Sequence, residues 1–143
     1  MGSGKGKDYG NTKNKVSKFA ENLANLIEDY VLDGLGFFGE KANDTVRRIF
    51  SSDPLATMQD FVKKATEGAE IKELSNGKGY IAKFSDGFQI IYREKSSSDG
   101  SPALEIWTNI KSRNASSTVE IEISGQKFKT RYQKIHFVED KKE

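Results

Sequence analysis

The sequence predicts an α+β domain in which N-terminal helices pack on a twisted, mostly antiparallel β-sheet. Apolar residues recur at three- and four-residue steps as far as Gly68 and alternate with polar ones beyond it. Turn pairs such as Asn76-Gly77 and Asp86-Gly87 cut the second half into short segments with hairpin spacing. At 143 residues the chain suits one domain.

Residues 1–11, rich in Gly, Lys and Asn, read as a flexible linker or the start of an expressed fragment. The domain proper is expected over 12–143, with helices in 12–67 and the sheet in 70–138. Val16, Phe19, Leu23, Leu26, Ile27 and Tyr30 make the first helical stripe. Gly34 and Gly36 interrupt it. Phe37, Phe38, Ala42, Val46, Ile49 and Phe50 suggest a second helix with Asn43, Asp44, Arg47 and Arg48 facing water. Ser52-Asp53-Pro54 supplies a capping side chain and a proline for the first turn of a third helix. Leu55, Met58, Phe61, Val62 and Ala65 form its apolar face, and Gly68 ends it.

Strands are expected at 71–74, 79–84, 88–94, 103–108 and 119–123, with one last long strand over 127–138. Residues 109–117 are polar and read as a mobile insertion. Alternation sorts the strands into faces. Ile90, Tyr92, Leu104, Ile106, Ile135 and Phe137 point to the core. Gln89, Ile91, Arg93, Glu105, Trp107, Tyr132, Lys134 and His136 take the opposite face. A bulge of one residue would swap the two sets.

Composition narrows the chemistry. There is no cysteine, which removes disulfides, thiol catalysis and zinc fingers. His136 is the single histidine, so a site needing paired histidines is excluded and no metal or cofactor is expected. No apolar run approaches about 18 residues, so no membrane-spanning helix is expected. Net charge is +2, and the basic side chains gather at Lys127, Lys129, Arg131 and Lys134. A histidine beside a lysine on an open sheet face, with an arginine and aromatics nearby, suits work on a phosphate and stacking on a base. Each side chain also has a structural reading. Arg93 suits an ion pair with Glu94 or Glu105, Ser101 the turn before Pro102, and the basic run protection of an edge strand.

The pattern Ile90-Ile91-Tyr92-Arg93, a Ser-rich loop, Gly100-Ser101-Pro102-Ala103-Leu104-Glu105-Ile106 and the closing Lys134-Ile135-His136-Phe137 resembles the C-terminal toxin domains of bacterial polymorphic toxins. It is nearest to those of LXG-type and contact-dependent inhibition systems. The resemblance covers roughly residues 70–138. It implies a barnase/EndoU/colicin/RelE-like nuclease fold. It also implies a metal-independent endoribonuclease, acting on tRNA or other cellular RNA and neutralised by a cognate immunity protein. Such a domain is secreted or delivered from the producing bacterium, acts in the target-cell cytoplasm, and is a monomer without its inhibitor. The family pattern falls on His136, Arg93, Lys134 and the loop at 100–102.

On this reading His136 does acid–base work, Arg93 grips phosphate and Lys134 adds charge. Glu105 or Tyr132 is the second proton carrier, and Ser101 is a phosphate ligand. Trp107, Tyr132, Lys129 and Arg131 are expected to hold the substrate. A DNase of the same family and a non-catalytic nucleic-acid or protein-binding module remain the alternatives.

Overall fold

The computed structural model describes residues 18–96, 99–108, 118–123 and 125–140. Helix α1 spans Lys18–Leu26 and buries Phe19, Leu23 and Leu26. Val16 lies outside the described residues. Asn22 ties α1 to the next helix by donating to the carbonyls of Ala65 and Glu67, each at 2.9 Å. Helix α2, Pro54–Ala65, forms where its sequence signals put it. Asp53 caps it through Oδ1, which accepts from Ala56 N at 3.2 Å, and Pro54 opens its first turn.

The expected helix between them is not helical. Residues 37–50 instead supply β1 (Glu40–Lys41) and most of β2 (Val46–Ser51). Val46, Ile49 and Phe50 favour extended backbone, and Gly39 at φ 83 turns the chain against Arg48. Asn43 closes the turn, accepting from Thr45 N and Val46 N at 3.2 and 3.0 Å. Arg47, expected to face water, is 6% exposed. Its guanidinium lies 3.8 Å from the centre of the Phe37 ring and 3.3 Å from Asp33 Oδ2.

The remaining strands are β3 (Glu70–Glu73), β4 (Tyr80–Lys83), β5 (Gln89–Arg93), β6 (Ala103–Trp107), β7 (Thr118–Ile123), β8 (Gln126–Arg131) and β9 (Gln133–Glu139). The strand expected over 127–138 thus breaks at Tyr132. Beta strands β7 and β8 form a separate two-stranded sheet. The main sheet has seven strands in the order β1-β2-β9-β6-β5-β4-β3. Its pairings are antiparallel except β2 with β9, which run parallel from Val46↔Lys134 to Ser51↔Glu139. The α+β class and the mostly antiparallel sheet therefore hold. The expected insertion at 109–117 and the linker at 1–11 lie outside the described residues.

The core forms where the helices cover one face of the sheet. Ile90, Leu104, Ile106, Ile135 and Phe137 are buried there with Phe19, Leu23, Met58 and Phe61. Phe61 meets Phe38 at 5.2 Å and Phe137 at 5.7 Å, both edge to face. Tyr92 is only partly buried and stacks on Tyr80 at 5.4 Å. Because Ile135 and Phe137 enter this core, the alternating Lys134 and His136 project from the other face.

Candidate active site

Strand register sets the site. Arg93 pairs with Ala103, Ala103 with His136, and His136 with Arg48. Residues paired across strands share a face, so this row carries three nitrogen-bearing side chains with one methyl group among them. Strands lie about 4.8 Å apart, which puts the Arg93 and His136 backbones about 10 Å from each other. Gly79 stands next to Arg93 at the start of β4. A Cβ there would lie 2.6 Å from Tyr92 O and 2.7 Å from Arg93 Cγ, so the glycine lets the arginine stem cross it.

A carboxylate–hydroxyl–imidazole chain holds His136. Ser101 Oγ is 2.8 Å from His136 Nδ1. The same Oγ lies 2.6 Å from Asp99 Oδ1, which also accepts from Ser101 N at 3.0 Å and Ser96 Oγ at 2.9 Å. Asp99 Oδ1 is 3.5 Å from Nδ1 itself. The loop gains this geometry because it leads straight into β6, where Phe137 N donates to Pro102 O at 2.8 Å. The Ser101 hydroxyl and amide, with Ser96, hold the Asp99 carboxyl well below the usual carboxylate range. A hydroxyl that donates to this carboxylate accepts from Nδ1–H, which leaves the Nε2 lone pair as the basic position.

His136 is 7% exposed. Burial lowers its pKa below the ordinary 6.5, and the charges of Lys134 and Arg48 lower it further, against the opposing pull of Asp99. The balance favours the neutral imidazole, the form a general base requires.

One row along, Glu105 pairs with Lys134 and Ile91. Tyr132 donates its hydroxyl to Glu105 Oε1 at 3.0 Å, and Arg93 Nη1 approaches Glu105 Oε2 at 3.9 Å. Arg93 thus makes one of the two ion pairs expected of it. Trp107 packs edge to face on Tyr132 at 4.7 Å. His136, Ser101, Arg93, Lys134, Glu105, Tyr132 and Trp107 are accordingly brought to one side of the sheet.

Lys129 and Arg131 do not join them. Lys129 is exposed on the small sheet, across from Glu120, and lines a cleft with Ile27, Val31 and Lys127. Arg131 is 5% exposed and is directed into the protein. Its Nη1 donates to Leu35 O at 3.0 Å, and its guanidinium lies 4.5 Å from the centre of the Phe37 ring that Arg47 also contacts. Its role is to fix the loop before β1. Sequence reasoning missed Asp99 and Arg48. The Ser96–Asp99–Ser101 spacing is an Asx-turn signal that marks the first, whereas Arg48 reaches the row only through the parallel pairing.

Among the described residues no three His, Asp or Glu side chains stand together as a metal site, and no helix is long and apolar enough to cross a membrane. No family model, curated protein or solved structure matches the chain.

Proposed function

We propose that this domain is an endoribonuclease toxin that cuts cellular RNA without a catalytic metal and is silenced by a cognate immunity protein. The observation that carries the proposal is His136, oriented by Ser101 and Asp99, on a sheet face shared with Arg48, Arg93 and Lys134. RNA carries its own nucleophile. His136 takes the 2′-hydroxyl proton, the 2′-oxygen attacks phosphorus, and the bond from phosphorus to the 5′-oxygen breaks. The departing 5′-oxygen takes a proton from the Tyr132–Glu105 pair, and the cations offset the charge gathering on the phosphoryl oxygens. The toxin setting, with delivery into a target cell, rests on the resemblance carried by residues 90–93, 100–106 and 134–137.

The test incubates the protein and its His136→Ala variant with total RNA and with plasmid DNA, in EDTA and in Mg²⁺. RNA fragments ending in 2′,3′-cyclic phosphate, formed in EDTA by the parent alone, are expected. Magnesium-dependent nicking of the plasmid would replace the reading with a DNase. Binding without cleavage would replace it with a binding module.

A further inference from the structure

Beside Arg93, on the side away from His136, the end of the sheet where β4 begins and β5 finishes opens into a cleft of about 480 Å³. Its walls are the turn Gly77-Lys78-Gly79-Tyr80 and the segment Arg93-Glu94-Lys95-Ser96. Lys78, Arg93 and Lys95 face a single acid, Glu94, so the lining is cationic. Lys78 and Lys95 are exposed, and neither is used in the catalytic scheme.

The turn is well ordered by its own bonds. Leu74 N donates to Gly79 O at 2.8 Å, Gly77 N to Leu74 O at 2.9 Å, and Lys78 N to Asn76 Oδ1 at 2.9 Å. Gly77, exposed and with nothing closer than 4.0 Å to where a Cβ would stand, leaves backbone in that wall open to a ligand's close approach. The other wall ends at Ser96, whose hydroxyl bonds the same Asp99 oxygen that receives Ser101. The cleft and the histidine are therefore built from one loop, with Arg93 between them.

We propose that this cleft is a subsite for the sugar–phosphate backbone of single-stranded RNA, holding a phosphate that flanks the one presented to His136. This rests on the ribonuclease reading and deepens it. The span of about 10 Å between the Arg93 and His136 backbones exceeds a single phosphate, so a strand cut at His136 lays neighbouring phosphates toward the cleft. Lys78 and Lys95 then supply affinity without sequence preference, since phosphate contacts position a strand and do not read its bases.

The experiment measures binding of a short single-stranded RNA to the His136→Ala protein, with and without the Lys78→Ala/Lys95→Ala pair, across a salt series. Both lysines are exposed, and thermal melts verify that each protein is folded. Loss of both is expected to weaken binding at least tenfold at low salt. It is also expected to flatten the slope of log affinity against log salt by about 1.4, at about 0.7 per phosphate contact on a single strand. In an otherwise unaltered protein, the same pair should raise KM on a long RNA and leave kcat nearly constant. Unchanged binding and slope would overturn the subsite while cleavage that depends on His136 still stood. Full cleavage by His136→Ala would instead remove the ribonuclease reading, and the subsite with it.

Discussion

Ser101 Oγ stands between two partners, 2.6 Å from Asp99 Oδ1 and 2.8 Å from His136 Nδ1. The hydroxyl has one proton for two short contacts: once it is donated to the carboxylate, the oxygen can only accept from Nδ1–H. Ser101→Ala removes the link, and Asp99→Asn removes the charge that orients it. Either change should lower kcat by about 10- to 100-fold, less than loss of the base itself, whose help is worth about 10²–10⁴-fold. Since these are positioning residues, KM should scarcely move. A variant with unaltered kcat and pH profile would show that the chain only shapes the loop.

His136→Ala should reduce RNA cleavage by about 10²–10⁴-fold and abolish toxicity on expression in a susceptible cell. The apolar core is on the other face, so a cooperative melt should persist. Circular dichroism and single-turnover cleavage check the two halves of this expectation.

The pH profile has a definite sign. With its pKa below 6.5, His136 loses its proton on the acid side of neutrality, so the rising limb of kcat/KM should lie below pH 6.5. Asp99 pulls that pKa upward, so Asp99→Asn should move the limb to still lower pH. Stability follows the same linkage. The folded state disfavours the imidazolium, so His136's contribution is whole above the unfolded value near 6.5 and fades as pH falls through the folded one. A limb above pH 6.5 in the parent would contradict the assignment of His136 as a depressed base.

Gly79→Ala should destabilise the domain by about 1–3 kcal/mol, the usual cost of forcing a methyl group into filled space. The obstacles are Tyr92 O at 2.6 Å and the Arg93 stem at 2.7 Å. Arg93 is the softer of the two, so KM for RNA should rise together with the fall in melting temperature. A melting temperature equal to that of the parent would mean that β4 shifts without resistance.

Gln133, 0% exposed, fastens the loop before β1. Its Oε1 accepts from Phe38 N at 2.8 Å, and its Nε2 donates to Gly36 O at 2.7 Å. Gln133→Leu strands that amide in the interior, at a cost of about 1–3 kcal/mol. Denaturant unfolding should register the loss, with kcat unchanged in the remaining folded protein.

Local signals made much of this legible. Helix α2 carries its own cap, proline and stripe, and β5, β6 and β9 show their two faces by alternation alone. That is how His136, Arg93, Lys134 and Glu105 could be put on one side. Residues 37–50 misled because aromatic and aliphatic side chains fell by chance at helical spacing. Their extended state depends on β9, a partner far along the chain that no local pattern announces. The same distant pairing hid Arg48. Arg47 read as a solvated charge and Arg131 as a substrate ligand because the burial of both depends on Phe37, against which both guanidinium groups lie.

Strand β9 lies between β2 and β6, in the interior of the sheet order. It is a keystone: the segment that brings His136 also closes the gap between the first strands and the later meander. A polypeptide halted before Gln133 would leave two raw borders, along β2 and along β6, and would have no imidazole. Closure of the sheet and delivery of His136 to its row should therefore come together in one step. Late, long-range closure of this kind is also slow relative to local folding.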